Sequence, residues 1–237
     1  MTPQRLTHRA EMAVDGELLA NTRYDIAFEV AMSRIPPQDG DALVVVDLQN
    51  DFVTGSLSVP DAPAVVEPLN RAIALFTARG LPVFATRDWH PPDHCSFLER
   101  GGPWPVHCVA GTRGADFVPG LRLPTDVIHI HKATERDTEA YSALAGTRLA
   151  DELQTRAVRR VFIGGLATDY CVLNTVRDAV PLGIDIVVLG DACRAVNVHP
   201  DDGARAEAEM RRLGAEFTSV DEVVRAVPGP GAATRKS

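Results

Sequence analysis

Ala42-Leu43-Val44-Val45-Val46-Asp47-Leu48 is an apolar run, mostly β-branched, broken only by one carboxylate near its end. A strand that is apolar at every position leaves no face for water, so the run predicts a strand buried on both sides in a parallel sheet. Outward from it the signal recurs at residues 81–85, 127–130, 161–163 and 184–189, and more weakly at 215–220. Helical spacing lies between several of these runs, at 64–79, 148–157, 169–180 and 201–213, and Gly80, Gly183 and Gly214 stand at expected C-caps. The alternation predicts an α/β fold: three layers, a doubly wound, mainly parallel six-stranded sheet, and helices on both faces.

A chain of 237 residues has room for one such domain with a full core. The expected division is an N-terminal extension over 1–40, a domain over 41–227 and a disordered Pro/Gly/Ala-rich tail over 228–237. In the extension Ala20, Tyr24, Ala27, Phe28, Ala31 and Ile35 recur at helical spacing before Pro36-Pro37, so it is expected to be partly helical. Tyr24, Ile26, Phe28 and Val30 also alternate, which leaves a short strand as the competing reading. A net charge of −8 argues against nucleic acid and anionic membranes as partners. No apolar run is long enough for a membrane span, and no signal peptide is visible. Cys95, Cys108, Cys171 and Cys193 form no CxxC pair, which fits a reducing, cytoplasmic setting.

One interval breaks the alternation. Residues 87–126 hold no convincing element but carry Trp89, His90, His94, Cys95, Trp104, His107 and Cys108. Long irregular loops in compact domains are usually functional, and ligands of open α/β sheets bind beyond the carboxyl ends of the strands. Asp47, Asp88, Lys132 and Cys171 all fall at or just after such ends, so four reactive residues are expected on one rim.

Each has a functional and a plainer reading. Cys171, in Gly165-Leu166-Ala167-Thr168-Asp169-Tyr170-Cys171-Val172, stands near a helix start, where the dipole favours a thiolate nucleophile and free amides can hold an oxyanion; otherwise it is a buried thiol. Asp47 can take the thiol proton, or cap a loop. Lys132 can fix that carboxylate and offset thiolate charge, or be an ordinary solvated lysine. Asp88, His90 and His107 offer one carboxylate and two imidazoles, a set suited to Zn, Mn or Fe, with His94 a further candidate; otherwise they are surface-loop side chains. Phe52 and Trp104 can bracket a flat ring, or pack in the core. His129 and His131 are read as covering a sheet face.

Together the segments Val46–Phe52, Thr86–Phe97, Trp104–Thr112, His131–Thr134, Ala140–Ala143 and Gly165–Val172 resemble the nicotinamidase branch of the isochorismatase-like cysteine hydrolases, in the family's order, from about Asp41 to Val220. The Cys segment and the lysine carry the superfamily resemblance, and DWHPxxH with WPxHC carries the branch. The resemblance implies a triad of Asp47, Lys132 and Cys171, and a divalent metal, Zn foremost with Fe or Mn as alternatives, on Asp88, His90 and His107, with His94 a ligand in some members. It implies a cis peptide at Leu166-Ala167 that turns the Ala167 and Cys171 amides toward an oxyanion. Substrate contacts are expected from Phe52, Trp104, Tyr141 and Tyr170.

The activity so implied is hydrolysis of nicotinamide to nicotinate and ammonia through a thioester on Cys171, in a homo-oligomer acting on a small carboxamide. The alternative is a related amidase for a pyrazinamide-, carbamoyl- or maleamate-like substrate; a vinyl ether hydrolase has no need of the thiol, and a non-catalytic scaffold has no need of the triad. Ala133 stands where the family commonly has glycine, and Glu139-Ala140 where it has Asp-Ser, which bears on substrate choice.

Overall fold

The structure, a computed structural model, describes residues 36–227. The expected helix or strand before Pro36 and the tail after Val227 lie outside the described residues. The elements, in chain order, are β1 (Asp41–Val46), α1 (Asn50–Val53), α2 (Val66–Ala78), β2 (Val83–Asp88), β3 (Ile128–Lys132), α3 (Leu149–Thr155), β4 (Arg160–Leu166), α4 (Leu173–Ala179), β5 (Asp185–Arg194), α5 (Asp202–Arg212), β6 (Glu216–Thr218) and α6 (Val220–Arg225). The sheet order is β3-β2-β1-β4-β5-β6, and every neighbouring pair is parallel.

Alternation along the central strands builds both faces. Ala42, Val44 and Val46 of β1 join Ile163, Leu149, Leu153, Leu173, Val176 and Met210 in a core under α3, α4 and α5. The opposite face packs under α2, where the Phe76 ring meets Phe162 edge-on at 5.2 Å. All six residues of β1 are buried, as its composition required.

The strand order reverses at β1, which has β2 on one side and β4 on the other, and the crevice of such a sheet opens beyond the carboxyl ends at that reversal. Val46 is paired with Gly165 there; a Cβ on Gly165 (φ +134°) would lie 2.1 Å from the Val46 carbonyl oxygen, so only glycine lets β4 run so close. In the same register Asp88 stands beside Lys132. Two boundaries differ from expectation. β5 runs on past a register shift to Arg194, and Val220 opens α6 instead of closing β6, because Ser219 and Glu222 form a capping box. Among the described residues no helix is long and apolar enough to cross a membrane.

Candidate active site

Asp47 directly follows β1, with its backbone in the left-handed region (φ +48°) and its carboxylate shut off from water. Thr86, one strand over, donates its hydroxyl to Asp47 Oδ1 at 2.7 Å and fixes the carboxylate's rotation. Lys132, at the end of β3, brings Nζ to 2.9 Å from Asp47 Oδ2 as an ion pair. Its hydrogen-bond directions go elsewhere, to Asp88 Oδ1 and, at 3.4 Å, to the Cys171 sulfur. Asp47 Oδ2 is thereby left with no aligned donor. The triad expected from the sequence is one contact group: the Asp47, Asp88 and Cys171 donor atoms lie within 4.8 Å of one another, around the ammonium.

Burial makes each charge here depend on its neighbours. It works to neutralise Lys132, but Asp47, Asp88 and Cys171 outweigh it and hold the ammonium well above its usual range. Burial likewise opposes ionisation of Asp88, yet Lys132 and His90 keep that carboxyl well below its usual range. For Asp47 burial prevails over Lys132 and its carboxyl is raised. Of the two carboxylates on one ammonium, Asp88 is therefore the settled anion and Asp47 the one disposed to hold a proton. Burial, reinforced by Asp47 and Asp88, pushes the Cys171 thiol well above its usual value although Lys132 opposes it. Burial thus favours the protonated thiol, in keeping with the expected transfer of its proton to Asp47. The segment that holds it, Thr168–Val172, is a single wide π-type turn before α4, a feature often found at functional sites. The Leu166–Ala167 peptide is cis.

Asp88, His90 and His107 meet on the other side of Asp88, all three buried, with donor atoms within 4.8 Å of one another. His90 Nδ1 lies 3.2 Å from the Ala133 carbonyl and His107 Nδ1 lies 2.8 Å from the Pro105 carbonyl. A carbonyl can only accept, so each Nδ1 carries the hydrogen and each Nε2 presents a lone pair. His90 Nε2 has no hydrogen-bond partner and faces Asp88 Oδ2 at 3.5 Å, too far for a hydrogen bond. An orphaned buried lone pair on His90, with the Nε2 lone pair of His107 and a carboxylate beside it, fits a divalent cation, and carbonyl partners on the far nitrogens are the usual outer support of such ligands. Burial holds His107 down to about 4, so it stays unprotonated and free to ligate near neutrality.

His94 does not belong to this group. Its Nε2 lies 3.1 Å from the Thr138 carbonyl and must donate there; its Nδ1 lies 2.7 Å from the Ser96 hydroxyl and accepts. Both nitrogens are engaged, so no lone pair is left for a metal, and the ring packs against His90 at 4.3 Å between centroids. His129 and His131 are exposed, as expected, with His131 stacked on Trp89 at 4.7 Å.

A pocket of about 360 Å3, its mouth included, joins the two groups. Phe52, Trp104, Tyr141 and Tyr170 line it beside Asp88, His107, Ala167 and Cys171. Trp104 meets Tyr170 edge-on at 5.1 Å and donates Nε1–H to the Tyr141 hydroxyl at 3.0 Å. A wider cleft at the amino ends of the strands, around Gly40, Pro82 and Ile128, contains neither Cys nor His and cannot support this chemistry.

The sequence reading missed the supports. Gln49 is fully buried; its Oε1 accepts from the Asp88 amide at 2.8 Å and its Nε2 donates to the Asp88 and Ala115 carbonyls at 2.8 and 2.9 Å. Asp51 accepts the Cys108 amide at 2.8 Å, next to His107. Leu57, Val59 and Val196 complete the pocket wall. The signal for Gln49 and Thr86 was a polar residue at the end of a wholly apolar strand run.

A family model described as Isochorismatase domain matches residues 41–222. The chain is 38% identical over 203 residues to the nicotinamidase of Escherichia coli (strain K12), over 76% of this chain and 94% of that protein. It resembles the crystal structure of the pyrazinamidase of Pyrococcus horikoshii in complex with zinc, with a TM-score of 0.73 and 46% identity over 76% of this chain and 99% of that one. PnC1 from L. infantum in complex with nicotinate gives a TM-score of 0.73 at 33% identity, over 79% of this chain and 97% of that one.

Proposed function

The chain belongs to the isochorismatase domain family, and from that premise we propose that it hydrolyses nicotinamide to nicotinate and ammonia, with Cys171 as nucleophile. The observation that carries this reading is the Lys132 ammonium placed among Asp47, Asp88 and the Cys171 sulfur, at the floor of an aromatic pocket. The similarity to a nicotinamidase and to a nicotinate complex supports the substrate.

Cys171 passes its proton to Asp47 as the sulfur attacks the carboxamide carbon. The raised carboxyl of Asp47 suits it to accept that proton, and Lys132 offsets the charge that builds on sulfur and carboxylate. The Ala167 and Cys171 amides hold the oxyanion. Asp47 returns the proton to the amide nitrogen, the C–N bond breaks and ammonia leaves a thioester. Asp47 then takes a proton from a water that attacks the thioester, and Cys171 recovers its hydrogen as nicotinate leaves. Phe52, Trp104, Tyr141 and Tyr170 bracket the ring and keep water off its faces.

Asp88, His90 and His107 hold the divalent cation in this reading, with His94 bracing His90 from behind. One carboxylate and two imidazoles favour zinc, the metal in the similar archaeal structure. When bound, that cation supplies a Lewis acid that can engage a ring nitrogen and orient the amide. A flat ring suits the aromatic lining, whereas an acyclic carbamoyl substrate leaves both the rings and the cation without a role. Ammonia release from nicotinamide by zinc-loaded protein, with and without chelator, tests the proposal. Release that the chelator suppresses is the expected result, and none from the loaded protein rejects it.

A further inference from the structure

Asp169 is the second residue of the wide turn that carries Cys171, yet its carboxylate serves a different element. Oδ1 accepts the Val196 amide and Oδ2 the Asn197 amide, each at 2.9 Å, across 27 and 28 residues of chain. Two successive amides on the two oxygens of one carboxylate form a charge-assisted clamp. The clamped segment is tied at its far side as well: Asn197, in the left-handed region (φ +54°), accepts the Gly203 amide of α5 at 2.9 Å. A Cβ on Gly203 would lie 2.7 Å from that of Ala195, so the segment is seated closely on α5. Between the two ties stands Val196, whose side chain walls the pocket beside Ala167 and Cys171.

We propose that Asp169 is a positioning residue that sets ring selectivity, by clamping Val196 against the acyl pocket so that the wall is built on the nucleophile's own turn. The proposal rests on the nicotinamidase reading for its substrate but not for its geometry. The two amides can only donate, so a carboxylate satisfies both, whereas the amide of asparagine must turn its NH2 toward one of them. Breaking the clamp frees the wall without touching sulfur, Asp47 or Lys132. Ring fit is then lost while the chemical step is kept.

The test compares wild type, Asp169→Asn and Val196→Ala in two measurements. The first is backbone hydrogen exchange of the unliganded protein, where Asp169→Asn is expected to speed exchange at Val196 and Asn197 by about tenfold, as one lost hydrogen bond to a charged group allows. The second is turnover of nicotinamide and of its benzo-fused relative, quinoline-3-carboxamide. Asp169→Asn should raise KM for nicotinamide by about tenfold with kcat held within about threefold, and should narrow discrimination against the larger ring. Val196→Ala should narrow discrimination in the same way with the Asn197 amide still protected. Unchanged exchange in Asp169→Asn overturns the clamp, and unchanged discrimination in both variants overturns its role in selectivity. Were wild type to turn over neither amide, the nicotinamidase reading would fall while the exchange result still decided the clamp.

Discussion

The Lys132 ammonium stands 2.9 Å from Asp47 Oδ2, with both side chains cut off from water, yet it directs its hydrogen bonds to Asp88 and to the Cys171 sulfur. Asp47 thus feels the full positive charge while one oxygen stays unpartnered for the thiol proton. Charge compensation and proton transfer converge on one oxygen of the carboxylate, while Thr86 holds the other.

The arrangement sets an expected loss for substitution at either partner of the proton transfer. Cys171→Ser keeps the shape but replaces the sulfur nucleophile, and Asp47→Asn removes the base. Each is expected to lower kcat/KM for nicotinamide by about a thousandfold or more while calorimetry still detects ligand binding. Turnover within tenfold of wild type in Cys171→Ser would reject covalent attack by this residue.

Lys132→Met leaves two buried carboxylates facing each other without a cation. The expected loss of stability is about 3–5 kcal/mol, the usual consequence of orphaning a buried charge. Urea unfolding measures it, and part of the loss should return at lower pH, where Asp47 can be protonated.

His107 gives the metal-free protein a pH dependence of definite sign. Burial holds its folded-state value down to about 4, against an ordinary 6.5. As pH falls below 6.5 the unfolded chain gains a proton that folded His107 refuses until about 4. Stability from this group is full above 6.5 and is lost across that window, by up to about 3 kcal/mol. Thermal melts of chelated protein between those limits should show the decline, and His107→Gln should flatten it.

Gln49→Leu keeps volume but removes three hydrogen bonds around Asp88 and Ala115. Metal affinity is expected to fall by about 10–100-fold, as for other outer supports of metal ligands. A parallel loss of about 2–4 kcal/mol in stability follows from the unpaired backbone groups. Chelator competition and urea unfolding read the two separately; intact affinity in a destabilised variant would leave Gln49 a purely structural residue.

The central strands were legible because parallel strands buried on both faces must be apolar throughout, so a lone Asp47 after such a run stands out. The pairing of Asp88 with Lys132 was not legible, since register depends on the neighbouring strand. Nor was the burial of Cys171: the sequence places the sulfur at a helix start, but only the packed site reveals how little water reaches it. His94 reads as a ligand because it stands close in sequence to the other candidate histidines. Its exclusion comes from Ser96 and Thr138, of which Thr138 is 44 residues away. The start of α6 was within reach, since Ser219 and Glu222 spell a capping box that the apolar 215–220 run obscured. Asp169 gave no sign of its partners, which lie on the far side of β5 in the chain.

Asp88 extends one oxygen to Lys132 and turns the other toward His90. The half of the site proposed for the nucleophile and the half proposed for the cation therefore share a single hinge pin. A change at this carboxylate is felt on both sides at once. Metal lost from a variant at Asp88 is therefore expected to go with a disturbed Lys132 and Cys171, readable in a purified sample before any substrate is added.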